Sequence, residues 1–552
     1  MTFRLRSRSP VRWLVLILAL GTASRADAQN ATPPLAVAAI ASIDAVLDDV
    51  DYLFDASGHP QYAQFVRGLV ANLNELKGID RGRPLGVMVF FPQTLGADPD
   101  AAVFIPVADI EQLKSTARLG NVISLEDDAQ PGRLVLKTPE KSIPVRLEHG
   151  YAFLSEKPDV LLRTLPDPSS VMGDLLSRYD GAISLRREGI PVHLALMARG
   201  TLDGLLASTR SQAQGGTETE TQLVQDSLGF GGQIARALFE DTERLEAGWR
   251  LERDARSLVI EGAVVAGSGK PRIPNAFQSL AEGSPRFGAL AAEAAPMGLV
   301  LHVNLPVELR EMIGRALDLS QQKAEGETER GAAILLPHVR TLFSTLRRTA
   351  EAGQLDAVFQ VVGGPPDHFT AIGGIALADG EPLARAVQAV LPFAQASPEG
   401  RKIDMNAMEI RGVAFHRVRG VAERPQDQLL YGEDAALLVG VAHDAIWFAI
   451  GGEEARDRLE EAMGASGAAD GDAGRLAAAR LHLTDWLGLV RDEGDEAARQ
   501  FRAVAQRAFP QPEDDQLEIA IAPVDRGLQL RITLEEGYLR MIGHAIAVSQ
   551  GR

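Results

Sequence analysis

The chain has no cysteine in its 552 residues. That absence removes disulfide frameworks, thiol nucleophiles, iron–sulfur clusters, cysteine-based zinc sites and lipid attachment at a cysteine. Aromatic residues make up only 5% of the chain, too few for a carbohydrate platform of several exposed rings. Basic residues are outnumbered 56 to 74, for a formal charge of −18. Such a balance argues against nucleic acid, whose binding rests on neutralising phosphates, and against electrostatic docking on anionic lipid. Long apolar runs are missing beyond the first 28 residues. The best later candidate, Leu437 to Ile450, is interrupted by Gly440, His443 and Asp444, so no membrane span is expected there.

Motifs for known chemistries are missing as well. Gly269-Lys270 is followed by Pro271 rather than Ser or Thr, and Gly229 to Gly232 has no strand before it, so neither makes a phosphate loop. There is no G-x-S-x-G elbow and no pair of histidines at H-x-x-x-H spacing. Asp44, Asp48, Asp49 and Asp51 cluster on one predicted helix. Asp44 and Asp48 share a face that could bind a cation, but acids near a helix N-terminus need no other cause than the dipole. Asp470-Gly-Asp472 lacks the remaining ligands of a calcium loop. Asp367-His368 at a hairpin tip and Glu148-His149 are the most suggestive acid–base pairs, and each reads better as turn surface. Trp249, Trp447 and Trp486 fall in apolar patterns and are expected in the core. The sequence therefore assigns no catalytic, cofactor-binding or metal residue.

What is present begins with an export signal. Arg4, Arg6, Arg8 and Arg12 precede an unbroken apolar run, Trp13 to Leu20, and Ala26-Asp27-Ala28 offers a cleavage site before Gln29. The run is about half the ~20 residues a spanning helix needs. Cleavage removes five Arg and one Asp, which takes the formal charge from −18 to −22. The expected product is soluble in the periplasm or outside the cell. Asn30-Ala31-Thr32 matches a glycosylation sequon in the short tail at 29–34.

The remainder reads as α+β, in two lobes with the same order of elements: 35–266 and 297–552, joined by a proline-bearing linker at 267–296. Each lobe opens with an apolar strand run, Leu35 to Ile43 or Met297 to Asn304. A helix, a polar break and a second helix follow. The breaks are Ser57 to Pro60 and Gln321 to Gly331; the second helices are Tyr62–Leu76 and Ile334–Glu351. Hairpins come next, Pro84 to Val107 and Gln354 to Leu377, each leading to a helix. Strands at Arg133–Lys137 and Val145–Leu147 are matched with Met408–Ile410 and Ala414–Val418. Leu245 to Ile260 and Leu517 to Ile532 close the lobes as strand pairs. Polar stretches within Thr201–Asp241 and at Ala465 to Gly474 read as loops. Hairpin connections predict a mainly antiparallel sheet in each lobe, with helices packed on one face.

Four phrases carry a family resemblance: Leu76 to Val87 (LKGIDRGRPLGV), Phe104 to Asp109 (FIPVAD), Tyr151 to Asp159 (YAFLSEKPD) and Leu305 to Arg310 (LPVELR). In these the chain resembles exported proteins of unknown function from planctomycete-type bacteria. The resemblance implies export and the α+β plan, and no activity.

Three functions are compatible with these readings. The first is a non-enzymatic binding or scaffold protein of the cell envelope, holding an envelope or extracellular ligand in a groove between the lobes. The second is a hydrolase whose carboxylates and histidines converge only in three dimensions. The third is a carrier of apolar ligands held between sheet and helices.

Overall fold

The computed structural model describes residues 33–92, 98–118, 123–128, 133–212, 218–292, 295–331, 333–364, 367–396, 402–467, 474–489, 496–510 and 514–550. The export signal, the sequon at Asn30 and the Asp470-Gly-Asp472 stretch lie outside them. The chain is α+β, and its strand pairings are antiparallel wherever a register is defined among the described residues. Two compact units divide it: residues 1–207, 235–273 and 535–552 form the first, residues 208–234 and 274–534 the second.

The first unit runs β1 (Ala36–Ile40), α1 (Ile43–Ala56), α2 (Pro60–Asn72), β2 (Leu85–Phe90), β3 (Asp100–Pro106), α3 (Ile110–Thr116), β4 (Ser124–Asp127), β5 (Arg133–Lys137), β6 (Ser142–Glu148) and β7 (Tyr151–Leu154). It continues with α4 (Pro168–Leu176), β8 (Gly181–Arg186), α5 (Val192–Gln212), α6 (Glu218–Asp241), β9 (Thr242–Glu252) and β10 (Ser257–Ala266), except that residues 208–234, the end of α5 and most of α6, belong to the second unit. Local chemistry sets the boundaries. Ser42 caps α1 by accepting from the Ala45 N–H at 2.9 Å, and Asp109 and Asp167 cap α3 and α4 in the same way. His149 and Gly150, both with positive φ (54° and 74°), make the two-residue turn that joins β6 to β7. The strands lie in the order β4-β5-β6-β7-β3-β2-β1-β8-β9-β10.

The second unit follows α7 (Arg272–Leu280) with β11 (Met297–Asn304), α8 (Val307–Gly331), α9 (Leu336–Ala352), β12 (Gln354–Gly363), β13 (Phe369–Ala376), α10 (Glu381–Ala396), β14 (Ile403–Ile410), β15 (Val413–Arg419) and α11 (Pro425–Tyr431). Then come β16 (Ala436–Val441), β17 (Ala445–Gly451), α12 (Ala455–Ala465), β18 (Ala477–His482), α13 (Thr484–Leu487), α14 (Glu496–Ala508), β19 (Gln516–Val524) and β20 (Gly527–Glu535). The last helix, α15 (Glu536–Gln550), belongs to the first unit, where Gly543 lets it approach Ser57 at the end of α1. The strand order is β14-β15-β16-β17-β13-β12-β11-β18-β19-β20, the order of the first sheet with ten added to each number.

Four expectations change. Helices cover both faces, not one. In β7, Tyr151 and Phe153 join a core under α4, while Ala152 and Leu154 join a second core under α3. A strand buried on both sides must be apolar at every position, as YAFL is. The strand β4 and the strand β16 had no counterpart in the sequence match. With both in place, Arg133–Lys137 corresponds to β15 rather than to β14.

The polar break at Gln321 to Gly331 is helical and continues α8. Apart from Gly326, Thr328 and Gly331 its residues are strong helix formers, and Gln321, Arg340 and Arg347 tie it to itself and to α9 through Glu325 and Asp318. The stretch 267–296 is packed structure rather than a linker: Phe287 and Leu290 are sealed in the second core, with the Phe287 ring edge-on to Trp447 at 5.3 Å.

Candidate functional site

The residues singled out by sequence are spent on the fold. The four aspartates singled out in α1 are each paired with arginine: Asp44 with Arg81, Asp51 with Arg67, Asp48 with Arg67 and Arg253 at 3.9 Å, and Asp49 with Arg253 at 3.0 Å. Burial is the largest influence on the Asp49 carboxyl and pushes its pKa up. Among the described residues no cluster of acids and histidines is arranged to hold a metal ion. Glu148 accepts from Arg146 at 3.0 Å, and His149 Nε2 lies 3.1 Å from the Leu165 carbonyl and 3.9 Å from Glu148 Oε1, so both members of that pair are engaged in structural bonds. Asp367 and His368 are both exposed at the β12–β13 turn. His368 opens on a cavity of about 620 Å³ shared with Arg417, Arg419, Arg456, Glu433, Asp434 and Glu453. Charges of both signs line it in equal number, which leaves little net field to select a ligand. Lys270 lies 3.5 Å from buried Asp241, and Gly229 to Gly232 sit inside α6.

Sequence missed the buried titratable pairs. His302 Nδ1 is 2.5 Å from Asp356 Oδ1 across β11 and β12, both residues buried, and Nε2 lies 3.3 Å from the Glu282 carbonyl. The bond to Asp356 raises the His302 pKa against the opposing effect of burial. His482 Nδ1 is 2.7 Å from Asp515, which also accepts from the Thr484 N–H at 2.7 Å; burial works against the Asp515 carboxylate, but these partners hold its pKa below the usual value. Tyr179 donates to buried Glu261, and burial with that bond pushes its phenol up to about 12. A lone polar residue inside an apolar strand, as in Leu301-His302-Val303, is the signal that would have found the first of these. Both nitrogens of His302 are engaged by the protein, so this pair builds the fold rather than a reaction centre.

The surface that stands out is apolar. Cross-strand register aligns His416, Val439, Phe448, Gly373, Phe359, Leu299, Ala479, Ile519 and Ile532 in one row across nine strands of the second sheet. The row from Val418 to Leu534 and the row from Val441 to Leu530, two residues to either side, are apolar throughout. The first sheet repeats this with Leu134, Val145, Leu154, Val103, Val87, Ala38, Ile183, Ala247 and Gly262.

These rows are only partly covered. In the first unit α3 seals Leu134 and Val145, yet Ile183 is 45% exposed and Trp249 on the neighbouring row 40%. In the second, Val361 and Ala371 are sealed in a core with Phe369, while Leu299 is 41% and Ile375 42% exposed. Residues one step along the strands, such as Met88, Phe104 and Ala449, are fully sealed on the opposite face. Strands lie ~4.8 Å apart, so a nine-strand row extends on the order of 40 Å. Exposed apolar residues gathered on one face mark a candidate binding face. Trp249, expected in the core, is part of it; Trp447 is in the core, and Trp486 stacks on Phe369 at 4.9 Å.

No described helix is long and apolar enough to cross a membrane. Comparison of the chain with protein-family models, curated proteins and solved structures finds no match in any of the three.

Proposed function

We propose that this is an exported, non-enzymatic envelope protein that binds apolar or amphiphilic ligands, acyl chains above all, on the partly exposed apolar sheet face of each unit. The observation that carries the reading is the uninterrupted apolar character of the row from Val441 to Leu530, combined with the exposure of Leu299, Ile375, Ile183 and Trp249. The backbone groups of these strands are used in the sheet ladders, so the face offers an occupant dispersion and hydrophobic contact and almost nothing else. Acyl chains need no more than this, at about 0.8 kcal/mol per buried CH₂. A protein partner brings roughly one hydrogen bond per 100–200 Å² of interface, which these rows cannot answer. The acidic surface disfavours docking on an anionic bilayer and favours single amphiphiles.

Export is supported by the charged and apolar leader, and by the resemblance to exported planctomycete-type proteins. We also infer that the chain arose by internal duplication. In its favour are the shared strand order and the paired placement of helices, two after β1 and β11, one after β3 and β13.

A fluorophore that brightens in apolar surroundings, titrated onto the folded protein and displaced by long-chain fatty acids, tests the binding reading. Ile183→Lys and Leu299→Lys should each remove part of the signal while leaving the melting temperature within a few degrees. Native protein that neither binds the fluorophore nor carries extractable lipid from its own envelope would overturn it.

A further inference from the structure

One residue breaks the apolar rows. In β15, Phe415 points into the core and His416 therefore points to the opposite, apolar face, level with Val439 and Phe448. A bulge in β14 between Asp404 and Met408 places Asn406 in the left-handed region, with φ 50°, and turns its N–H to donate to His416 Nδ1 at 3.2 Å. A nitrogen that accepts carries no proton, so the proton of the neutral ring is on Nε2. Burial lowers the His416 pKa and keeps the ring in that neutral form.

Nε2 has no acceptor among the described residues, although His416 is only 5% exposed. The ring lines a cavity of about 400 Å³ beneath α10, walled by Ala384, Val387, Ala414 and Val441. Glu381, Gln388, Arg411 and His443 line it as well. Apolar side chains interspersed with a few placed polar groups are the usual make-up of a small-molecule pocket. In the corresponding row of the first sheet the β5 position is Leu134, sealed under α3, so this feature is particular to the second unit.

We propose that the His416 Nε2–H is the polar anchor for the carbonyl oxygen of an acyl ester, whose chain then lies along the apolar row that starts at Val439. This rests on the acyl-binding reading and specifies its ligand. The Nε2–H is fixed as a donor by the bond at Nδ1 and opens on the cavity, and a neutral carbonyl accepts from it without adding a further charge beside Glu381 and Arg411.

The test competes a medium-chain fatty acid methyl ester, the free acid and the alkane of equal length against the apolar fluorophore, on the full mature chain. Wild type should bind the ester about 3- to 10-fold more tightly than the alkane, the range expected for one neutral hydrogen bond. His416→Phe should bind both equally, and His416→Gln, which keeps an N–H donor, should recover part of the preference. A wild type with no preference, a preference that survives in His416→Phe, or tighter binding of the free acid than of the ester overturns the assignment of His416 alone. Failure of all three compounds to displace the fluorophore removes the acyl-binding reading and this inference with it. If His416→Phe does not fold, the comparison of His416→Gln with wild type decides.

Discussion

Trp249 occupies the space that a side chain at Gly181 would need: a Cβ there would lie 2.0 Å from the indole Cη2, across the β8–β9 register. The glycine lets a large ring lie flat on the sheet while 40% of it stays in water. Gly181→Ala should therefore tip the indole outward. The expected readout is a red shift of its fluorescence and a loss of about 1 kcal/mol, since a half-exposed ring can move away more easily than a core one. Unchanged emission would show that the ring is not seated on Gly181.

The two tryptophans of the sheets should answer differently to removal. Trp447 is sealed against Phe287, and Trp447→Ala should cost about 3–5 kcal/mol in denaturant unfolding. Trp249→Ala should cost about 1 kcal/mol and weaken apolar-probe binding instead. Equal costs would mean that Trp249 is covered in solution.

The His302–Asp356 pair sets a pH dependence. The His302 pKa is raised in the folded chain by the bond to Asp356, above the ordinary 6.5. Its contribution is complete below that ordinary value and disappears as pH climbs through the folded pKa, because the unfolded chain releases its proton first. Melting temperature should fall with rising pH above neutrality, and Asp356→Asn should flatten that slope while costing about 3 kcal/mol near pH 6. A slope unchanged in Asp356→Asn would assign the effect to another group.

Gly326 lies in the helical continuation of α8, with open space where a side chain would be. Gly326→Ala should stabilise the protein by about 0.5–1 kcal/mol, the ordinary gain for such a change in a helix. Destabilisation would return this stretch to the loop that its charge pattern suggests.

Much of the strand and hairpin plan was legible because period-two apolar alternation and Gly-containing turns sit where β2–β3, β12–β13 and β19–β20 do. The helical break was misread because Glu325-Gly-Glu-Thr-Glu329 has no apolar stripe. An exposed helix held by ion pairs needs none. Short β4, with Ser-Leu-Glu-Asp, carries one apolar residue and no alternation to detect. The wet face was invisible for a different reason. Alternation shows that Leu528, Leu530 and Ile532 share a side, but whether a helix covers that side depends on residues far away in sequence. The same holds for His416, whose tautomer is set by the backbone of Asn406 on another strand.

The bulge in β14 has a consequence beyond orienting one imidazole. It falls on the outermost strand of the second sheet, where an uninterrupted ladder of free amides and carbonyls would template further strands. With Asn406 out of register, an incoming chain finds donors and acceptors misaligned, and fibre-like growth from that border is blocked. Molecules crowded together would meet through their greasy sides, giving reversible stacking that detergent or a bound amphiphile disperses.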